Sequence, residues 1–189
     1  MDSGIGGPAR AKLLADEGSG YRVVRRERFG GTTFLLEVLA PEVARACEPG
    51  QFVMVRIDAT GERIPLTISD FDRDRGTLTI VVQAVGKTTF QMRDLVAGDR
   101  LLDVVGPLGC ASRIERRSTV ALIGGGLGVG PIYPLLRRHA ELGSRTIAIV
   151  GFRSADRAFW IDRFRGIAGE VFVSTDDGSV GTRGTVADV

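Results

Sequence analysis

Histidine is nearly absent from this sequence: His139 is the only one among 189 residues. It sits on a helical pattern, so neither a zinc site built on imidazoles nor a triad with a histidine base is expected. Cysteine is almost as scarce. Cys47 and Cys110 stand far apart, in neither a C-x-x-C pair nor a disulfide-dense pattern, which predicts a reducing compartment and no cysteine-held metal. No run approaches the roughly 20 apolar residues of a membrane span, so no membrane association is expected. The opening residues Met1-Asp-Ser-Gly-Ile-Gly-Gly-Pro8 lack the basic-then-apolar order of a secretory signal, and a cytoplasmic location is the expectation. An excess of one charge is missing too. The 25 Lys and Arg residues against 23 Asp and Glu leave a formal net charge of +2. Basic residues pair only briefly, as at Arg25-Arg26 and Arg116-Arg117, so nucleic acid is not an expected partner.

What the chain does hold is an ordinary globular composition, 43% hydrophobic and 25% charged. Residues 1–20 are glycine-rich and polar and read as a mobile tail, with one short helical possibility at Ala9–Asp16. From Tyr21 the texture is β. Short apolar or alternating runs (Tyr21–Val24, Thr32–Val38, Phe52–Ile57, Thr77–Val85, Gly98–Val105) are separated by the turn signals Gly30-Gly31, Pro41-Glu42 and Pro49-Gly50. This spacing predicts an antiparallel barrel of five or six strands over 21–113, with one helical patch at Phe90–Leu95. Beyond Arg113 the grammar changes. Strand Thr119–Ile123, helix Ile132–Leu142, strand Thr146–Val150, helix Ala155–Arg165 and strand Val171–Ser174 alternate, which predicts a doubly wound parallel α/β unit over 114–189. The fold class is thus α+β in two domains. With only three strands the second sheet leaves 119–123 as an open edge, suited to partner binding or aggregation, and the chain reads as shortened at its C-terminus.

One stretch organises the rest: Val120-Ala-Leu-Ile-Gly-Gly-Gly-Leu-Gly-Val-Gly-Pro-Ile-Tyr-Pro134. An apolar run, a glycine loop and a periodic apolar segment read as strand, tight turn and helix, the order that presents a helix N-terminus to a phosphate. A Cβ at Gly126 or Gly128 would hold the backbone away from a diphosphate. Pro131 suits the first helical turn. The G-x-G-x-x-G spacing counted from Gly126 and Gly128 ends on Pro131, so a glycine turn without a ligand stays open beside the nucleotide reading.

Other stretches carry chemistry less specifically. Arg63-Ile-Pro-Leu-Thr67 offers a guanidinium that can pair with a diphosphate and a hydroxyl for a ring edge, or merely a strand with a solvent-facing arginine. Gly86-Lys-Thr-Thr89 makes an anion-binding nest at a helix start, or a plain strand-to-helix turn. It is not a P-loop, because Val81 stands where that motif needs its first glycine. Asp176-Asp177 follows the third parallel strand, where α/β sheets bind ligands. Arg153-Ser154 ends the second parallel strand, where it suits a ribose 2′-phosphate or, equally, a capped helix start.

In their order along the chain, Pro49-Gly-Gln-Phe-Val-Met-Val55, Arg63-x-Pro-Leu-Thr67, Gly86-Lys-Thr-Thr89, Gly106-Pro-Leu-Gly109 and Gly124-Gly-Gly-Leu-Gly-Val-Gly-Pro131 resemble the ferredoxin–NADP reductase superfamily. Glu62-Arg-Ile-Pro-Leu-Thr67 and Thr175-Asp-Asp-Gly-Ser179 are most similar to its FAD subunits of NADH-dependent ferredoxin:NADP oxidoreductases, also called sulfide dehydrogenase small subunits, and to electron-transfer subunits of dihydroorotate dehydrogenase. The resemblance spans about Tyr21 to Val189 and implies an FAD barrel followed by an NAD(P) domain. It implies that Arg63, Ile64, Pro65, Leu66 and Thr67 lie along the flavin, with Thr67 tuning the flavin N5. It implies backbone contacts from Val81, Val82 and Gln83, a diphosphate on Gly86, Lys87, Thr88 and Thr89, and NADH or NADPH on Gly124, Gly125, Gly126, Leu127, Gly128, Gly130 and Pro131. Arg153, Asp176 and Asp177 would complete the nucleotide side.

The sequence departs from the family in three places. Ile64 separates Arg63 from Pro65, where relatives have R-P-x-[ST]; a G-P-x-x-M segment is missing; and so is the C-terminal cysteine cluster, so no iron–sulfur cluster is expected in this chain. The activity implied is that of a flavoprotein electron-transfer subunit moving hydride between NAD(P)H and FAD. Electrons would pass to a larger catalytic subunit or a ferredoxin-type carrier in a hetero-oligomer. A free-standing NAD(P)H:flavin reductase or oxidase and a non-catalytic FAD-binding module are the alternatives.

Overall fold

The computed structural model describes residues 20–189; the predicted tail up to residue 19, with its helical possibility at Ala9–Asp16, lies outside the described residues. Seven strands form one antiparallel sheet: β1 (Tyr21–Arg28), β2 (Thr33–Leu39), β3 (Phe52–Arg56), β4 (Ile64–Asp72), β5 (Thr77–Gln83), β6 (Arg100–Leu101) and β7 (Asp103–Leu108). Their order is β6-β1-β2-β5-β4-β3-β7. The two outer strands are separated in sequence only by Leu102, whose N–H donates to the Ile57 carbonyl at 3.0 Å. That covalent link between opposite edges curls the sheet into a nearly closed barrel and leaves few free edge groups.

Alternation decides what fills it. Phe34, Leu36 and Val38 of β2, Leu78, Ile80 and Val82 of β5, and Val53 and Val55 of β3 point inward and are buried. Two helices flank the barrel. The helical patch predicted at Phe90–Leu95 begins earlier, as α2 (Lys87–Asp94), while α1 (Pro41–Ala46) was not predicted. Pro41, read as a turn signal, occupies the first turn of α1, where a missing N–H costs nothing, and Glu42 follows it.

The second sheet is parallel, with β8 (Thr119–Gly125), β9 (Arg145–Phe152), β10 (Glu170–Thr175) and a short fourth strand, β11 (Thr182–Arg183), in the order β11-β10-β9-β8. β8 is the edge strand, as expected from its place in the chain. The helix α3 (Val129–Glu141) starts three residues earlier than its apolar period suggested, because the Gly126–Gly128 turn runs straight into it. The helix predicted over Ala155–Arg165 is broken. A single turn, Ala155–Arg157, and α4 (Ile161–Arg165) flank Trp160, which sits in the left-handed region at φ 63°. Aromatic packing overrides the helical period here: Phe159 and Trp160 are buried and meet Phe152 and Tyr133 edge to face.

The two sheets share a core. Leu35 points outward from the barrel yet is fully buried, because with Phe29 it joins the cluster of Val129, Tyr133, Leu136 and Phe164. Phe29 stacks on Phe159 with centroids 4.6 Å apart. α3 is therefore packed between β4 of the barrel and strands β8 and β9. Cys47 and Cys110 are both free thiols; burial pushes Cys47 up to about 11. Among the described residues no helix is long and apolar enough to cross a membrane.

Candidate functional site

Strand β4 changes partner along its length. Ile64–Thr67 pairs with β3, as Val55↔Ile64 to Phe52↔Thr67, whereas Ile68–Asp72 pairs with β5. The β4–β5 register ends at Ile68↔Ile80. Val81, Val82 and Gln83 keep β2 on one side and have no β4 partner on the other. A notch thus opens between the Arg63–Thr67 segment and the backbone edge of Val81–Gln83, a place where a planar group can meet main-chain donors and acceptors.

Side chains around the notch sort by pleat. Arg63, Pro65 and Thr67 are exposed on the outer face, while Ile64 and Leu66 are half-buried against the barrel core. The side chains of Ile64 and Leu66 therefore point away from that outer face. Val82 likewise points inward and is buried, whereas Val81 packs toward the second sheet. The Arg63 guanidinium donates to Asp103 Oδ2 at 2.9 Å, an acceptor shared with Arg56 at 2.7 Å. Two guanidiniums on one carboxylate leave a net positive charge beside the strand.

The nest at the start of α2 lies next to this segment. Thr88 Oγ1 is 3.5 Å from Glu62 Oε2, which ties the α2 N-terminus to the residue preceding Arg63. Thr89 Oγ1 accepts from the N–H groups of Val85 at 2.9 Å and Gly86 at 3.0 Å and donates to the Gly86 carbonyl. Its hydroxyl shapes the turn. What remains for an anion is the exposed Lys87 and the first-turn N–H groups.

The glycine loop divides into two kinds of position. A Cβ on Gly124 would lie 2.7 Å from the Gly128 carbonyl oxygen, and one on Gly130 would lie 2.7 Å from Ser69 Oγ and 3.5 Å from Val81 Cβ. These two glycines are required by close packing. Gly125, Gly126 and Gly128 instead face open space, with nothing within 4 Å of a built Cβ. Gly126 adds a φ of 53°. That φ accounts for Gly126, but nothing in the fold explains why Gly125 and Gly128, both unobstructed and both at negative φ, lack side chains, whereas close approach of a ligand would. Leu127 is partly exposed at the tip, and Pro131 lies within the first turn of α3.

Along the same edge the C-terminal ends of β9 and β10 carry Arg153 and Asp176-Asp177. Arg153 and both aspartates are exposed. Ser154 donates to the Asp156 carboxylate, so its hydroxyl belongs to the turn. Asp177 Oδ1 accepts from the Ser179 hydroxyl at 2.5 Å and its N–H at 2.9 Å, which together hold the Asp177 carboxyl below the usual carboxylate range. Ser179 Oγ in turn accepts from the Ala155 N–H at 2.7 Å. Asp177 braces the loop pair, while the Asp176 side chain is exposed. The 570 Å³ cavity lined by Asp70, Arg137 and Arg163 is a different place: neither the glycine loop nor the Arg63–Thr67 segment lines it.

No family model matches the chain. It is 39% identical over 166 residues to the dihydroorotate dehydrogenase B (NAD(+)) electron transfer subunit homolog of Thermotoga maritima, covering 88% of this chain and 58% of that protein. The corresponding subunit of Fusobacterium nucleatum is 39% identical over 163 residues, covering 83% and 62%. The structure of an NADH-dependent reduced ferredoxin–NADP oxidoreductase superposes with a TM-score of 0.85 at 36% identity, over 92% of this chain and 62% of that one. The chain belongs to the ferredoxin–NADP reductase superfamily. It spans about six-tenths of the length of these relatives.

Within that superfamily the barrel followed by the parallel sheet is the shared frame. The residues that sequence reasoning missed are those joining the two: Ser69, Asp70, Arg137, Arg163 and Gly30. The sequence marks only Ser69 and Asp70 among them, as two adjacent polar residues that interrupt the alternation between Ile68 and Phe71.

Proposed function

We propose that the chain is the flavin- and pyridine-nucleotide-binding part of a flavoprotein electron-transfer subunit, with residues 21–113 as the FAD-binding unit and 114–189 as the NAD(P)-binding unit. One observation carries the reading: the outer face of β4 that bears Arg63, Pro65 and Thr67 continues into Ser69, which touches the glycine-loop helix at Gly130. Bound FAD would supply the redox chemistry, taking a hydride from NADH or NADPH and releasing electrons to an acceptor.

The chain's own residues bind and orient. Thr67 presents a hydroxyl to the flavin ring edge, and the unpaired β5 edge at Val81–Gln83 offers main-chain groups beside it. Arg63, Lys87 and the first-turn N–H groups of α2 neutralise the diphosphate. Gly125, Gly126 and Gly128 let the nucleotide approach the α3 N-terminus. Of the Arg153-Ser154 pair only Arg153 is left to meet a ribose phosphate, because Ser154 is engaged with Asp156. No side-chain acid or base is required for hydride transfer; distance and orientation carry the rate. The relatives named as electron transfer subunits support a larger oxidoreductase subunit or ferredoxin-type carrier as partner.

An absorption spectrum of the purified chain, reconstituted with FAD and then given NADH without oxygen, tests this. A flavin spectrum that bleaches is expected. Absence of flavin uptake would sink the barrel assignment. Uptake without bleaching by either NADH or NADPH would leave only an FAD-binding module. Thr67→Val is expected to keep FAD and lower the reduction rate by up to about tenfold, the loss of one hydrogen bond. An unchanged rate would remove Thr67 from the mechanism.

A further inference from the structure

The β4–β5 register slips between Ile68 and Asp70, so β4 holds one extra residue at Ser69. A bulge re-aims side chains. Ile68 and Phe71 both point into the barrel core, yet Ser69 and Asp70 between them both face outward, toward α3. Asp70 is buried and holds two guanidiniums. Arg137 of α3 donates to Oδ1 at 2.7 Å, and Arg163 of α4 to Oδ2 at 2.5 Å. Its Oδ1 also accepts from the Phe71 N–H at 2.9 Å. The Arg163 guanidinium carbon also lies 4.3 Å from the ring centroids of both Tyr133 and Trp160, and that of Arg137 lies over Phe71 at 5.2 Å. Each partner thus has its geometry fixed by a second contact.

We propose that Asp70 is a positioning residue, a clamp that fixes the glycine loop against the Arg63–Thr67 face. The inference rests on the cofactor reading above. The lever is short at both ends: Asp70 is three residues from Thr67 on β4, and Arg137 is seven residues from Gly130 on α3, while Ser69 and Gly130 touch between them. Releasing the carboxylate frees α3 and α4 together, because one side chain holds both. The surrounding charges, Glu37 and Asp72 against Arg25, Arg73 and Arg75, line the same cavity; Glu37 is already paired with Arg25 and Arg75. Glu141, also on the cavity wall, reaches Arg137 Nε at 3.9 Å, so it meets one arginine, whereas Asp70 meets both Arg137 and Arg163.

The test uses the whole chain with and without FAD. In the FAD-free Asp70→Asn variant, amide exchange at Gly30 and through Gly126–Gly130 is expected to rise at least tenfold, with the barrel core at Leu36 and Ile80 unchanged. The emission of Trp160, the only tryptophan, is expected to shift as Arg163 leaves its ring. With FAD bound, Asp70→Asn should keep flavin affinity and its reduction by dithionite while losing at least tenfold in reduction by NADH. Arg163→Lys should recover part of what Arg163→Gln loses, and this milder pair serves if Asp70→Asn does not fold. Exchange and emission equal to the parent's would overturn the clamp. If the parent is bleached by neither NADH nor NADPH, the nucleotide half of the cofactor reading fails, and exchange in the FAD-free chain still decides the clamp.

Discussion

Gly128→Val is expected to leave the chain folded and able to take up FAD while slowing its reduction by NADH by about 100-fold or more, a transition-state loss of about 2.7 kcal/mol. Gly128 has φ −62° and ψ −14°, a conformation any L-residue adopts, and a Cβ there meets nothing within 4 Å. The folded state therefore accepts the branch with a cost within about 0.5 kcal/mol. Only something that is not part of the chain can object to it. Gly124→Ala inverts the outcome. Its single methyl collides with the Gly128 carbonyl at 2.7 Å, a backbone atom that cannot rotate away. Overpacking of this kind costs about 1–3 kcal/mol, so the smaller substitution is the more destabilising one. Thermal unfolding and anaerobic reduction measured on both variants separate the two roles. Reduction of Gly128→Val at the parent's rate would remove the glycine loop as the nucleotide site.

The same distinction explains how far the sequence could be read. Period and punctuation govern local structure, so the inward faces of β2 and β5, the parallel strands and the glycine turn before α3 were legible from residue type alone. The motif segments were legible too, as Arg63–Thr67, Gly86–Thr89 and Gly124–Pro131. Which atoms they present was not. Ile64 and Leu66 turn away because the pleat assigns them to the core, and Thr89 spends its hydroxyl on its own turn. The missed features depend on non-local partners. The break at Trp160 needs the rings of Tyr133 and Phe159, and the outward turn of Asp70 needs a one-residue slip against β5. Neither leaves a period in the sequence. The short β11 escaped for a related reason: two residues, Thr182 and Arg183, pair with β10 only because its edge is there to receive them.

Gly30→Ala is expected to be the substitution that parts the two sheets. A Cβ at Gly30 would lie 1.9 Å from the Asp156 carbonyl oxygen and 2.6 Å from its carbon, so the β1–β2 hairpin and the 155–157 turn cannot both stay where they are. The same approach carries a hydrogen bond, Gly30 N–H to the Asp156 carbonyl at 2.9 Å. Losing that bond and overpacking the contact together cost about 2–4 kcal/mol, and the stacked pair Phe29–Phe159 loses its fit beside it. Gly31→Ala is the control with the opposite physics. Gly31 has φ 66°, which strains any L side chain by about 1 kcal/mol, but its nearest neighbour is the mobile Arg157 guanidinium at 3.5 Å. Conformational strain at Gly31 stays local, whereas steric exclusion at Gly30 acts across the interface. Urea unfolding should therefore place Gly30→Ala well below Gly31→Ala, and in the FAD-bound chains only Gly30→Ala should lose reduction by NADH while keeping its flavin. Equal midpoints for the two variants would mean that the hairpin contact does not hold the sheets together, leaving that to the shared core around Leu35 and Val129 and to the Asp70 ion pairs.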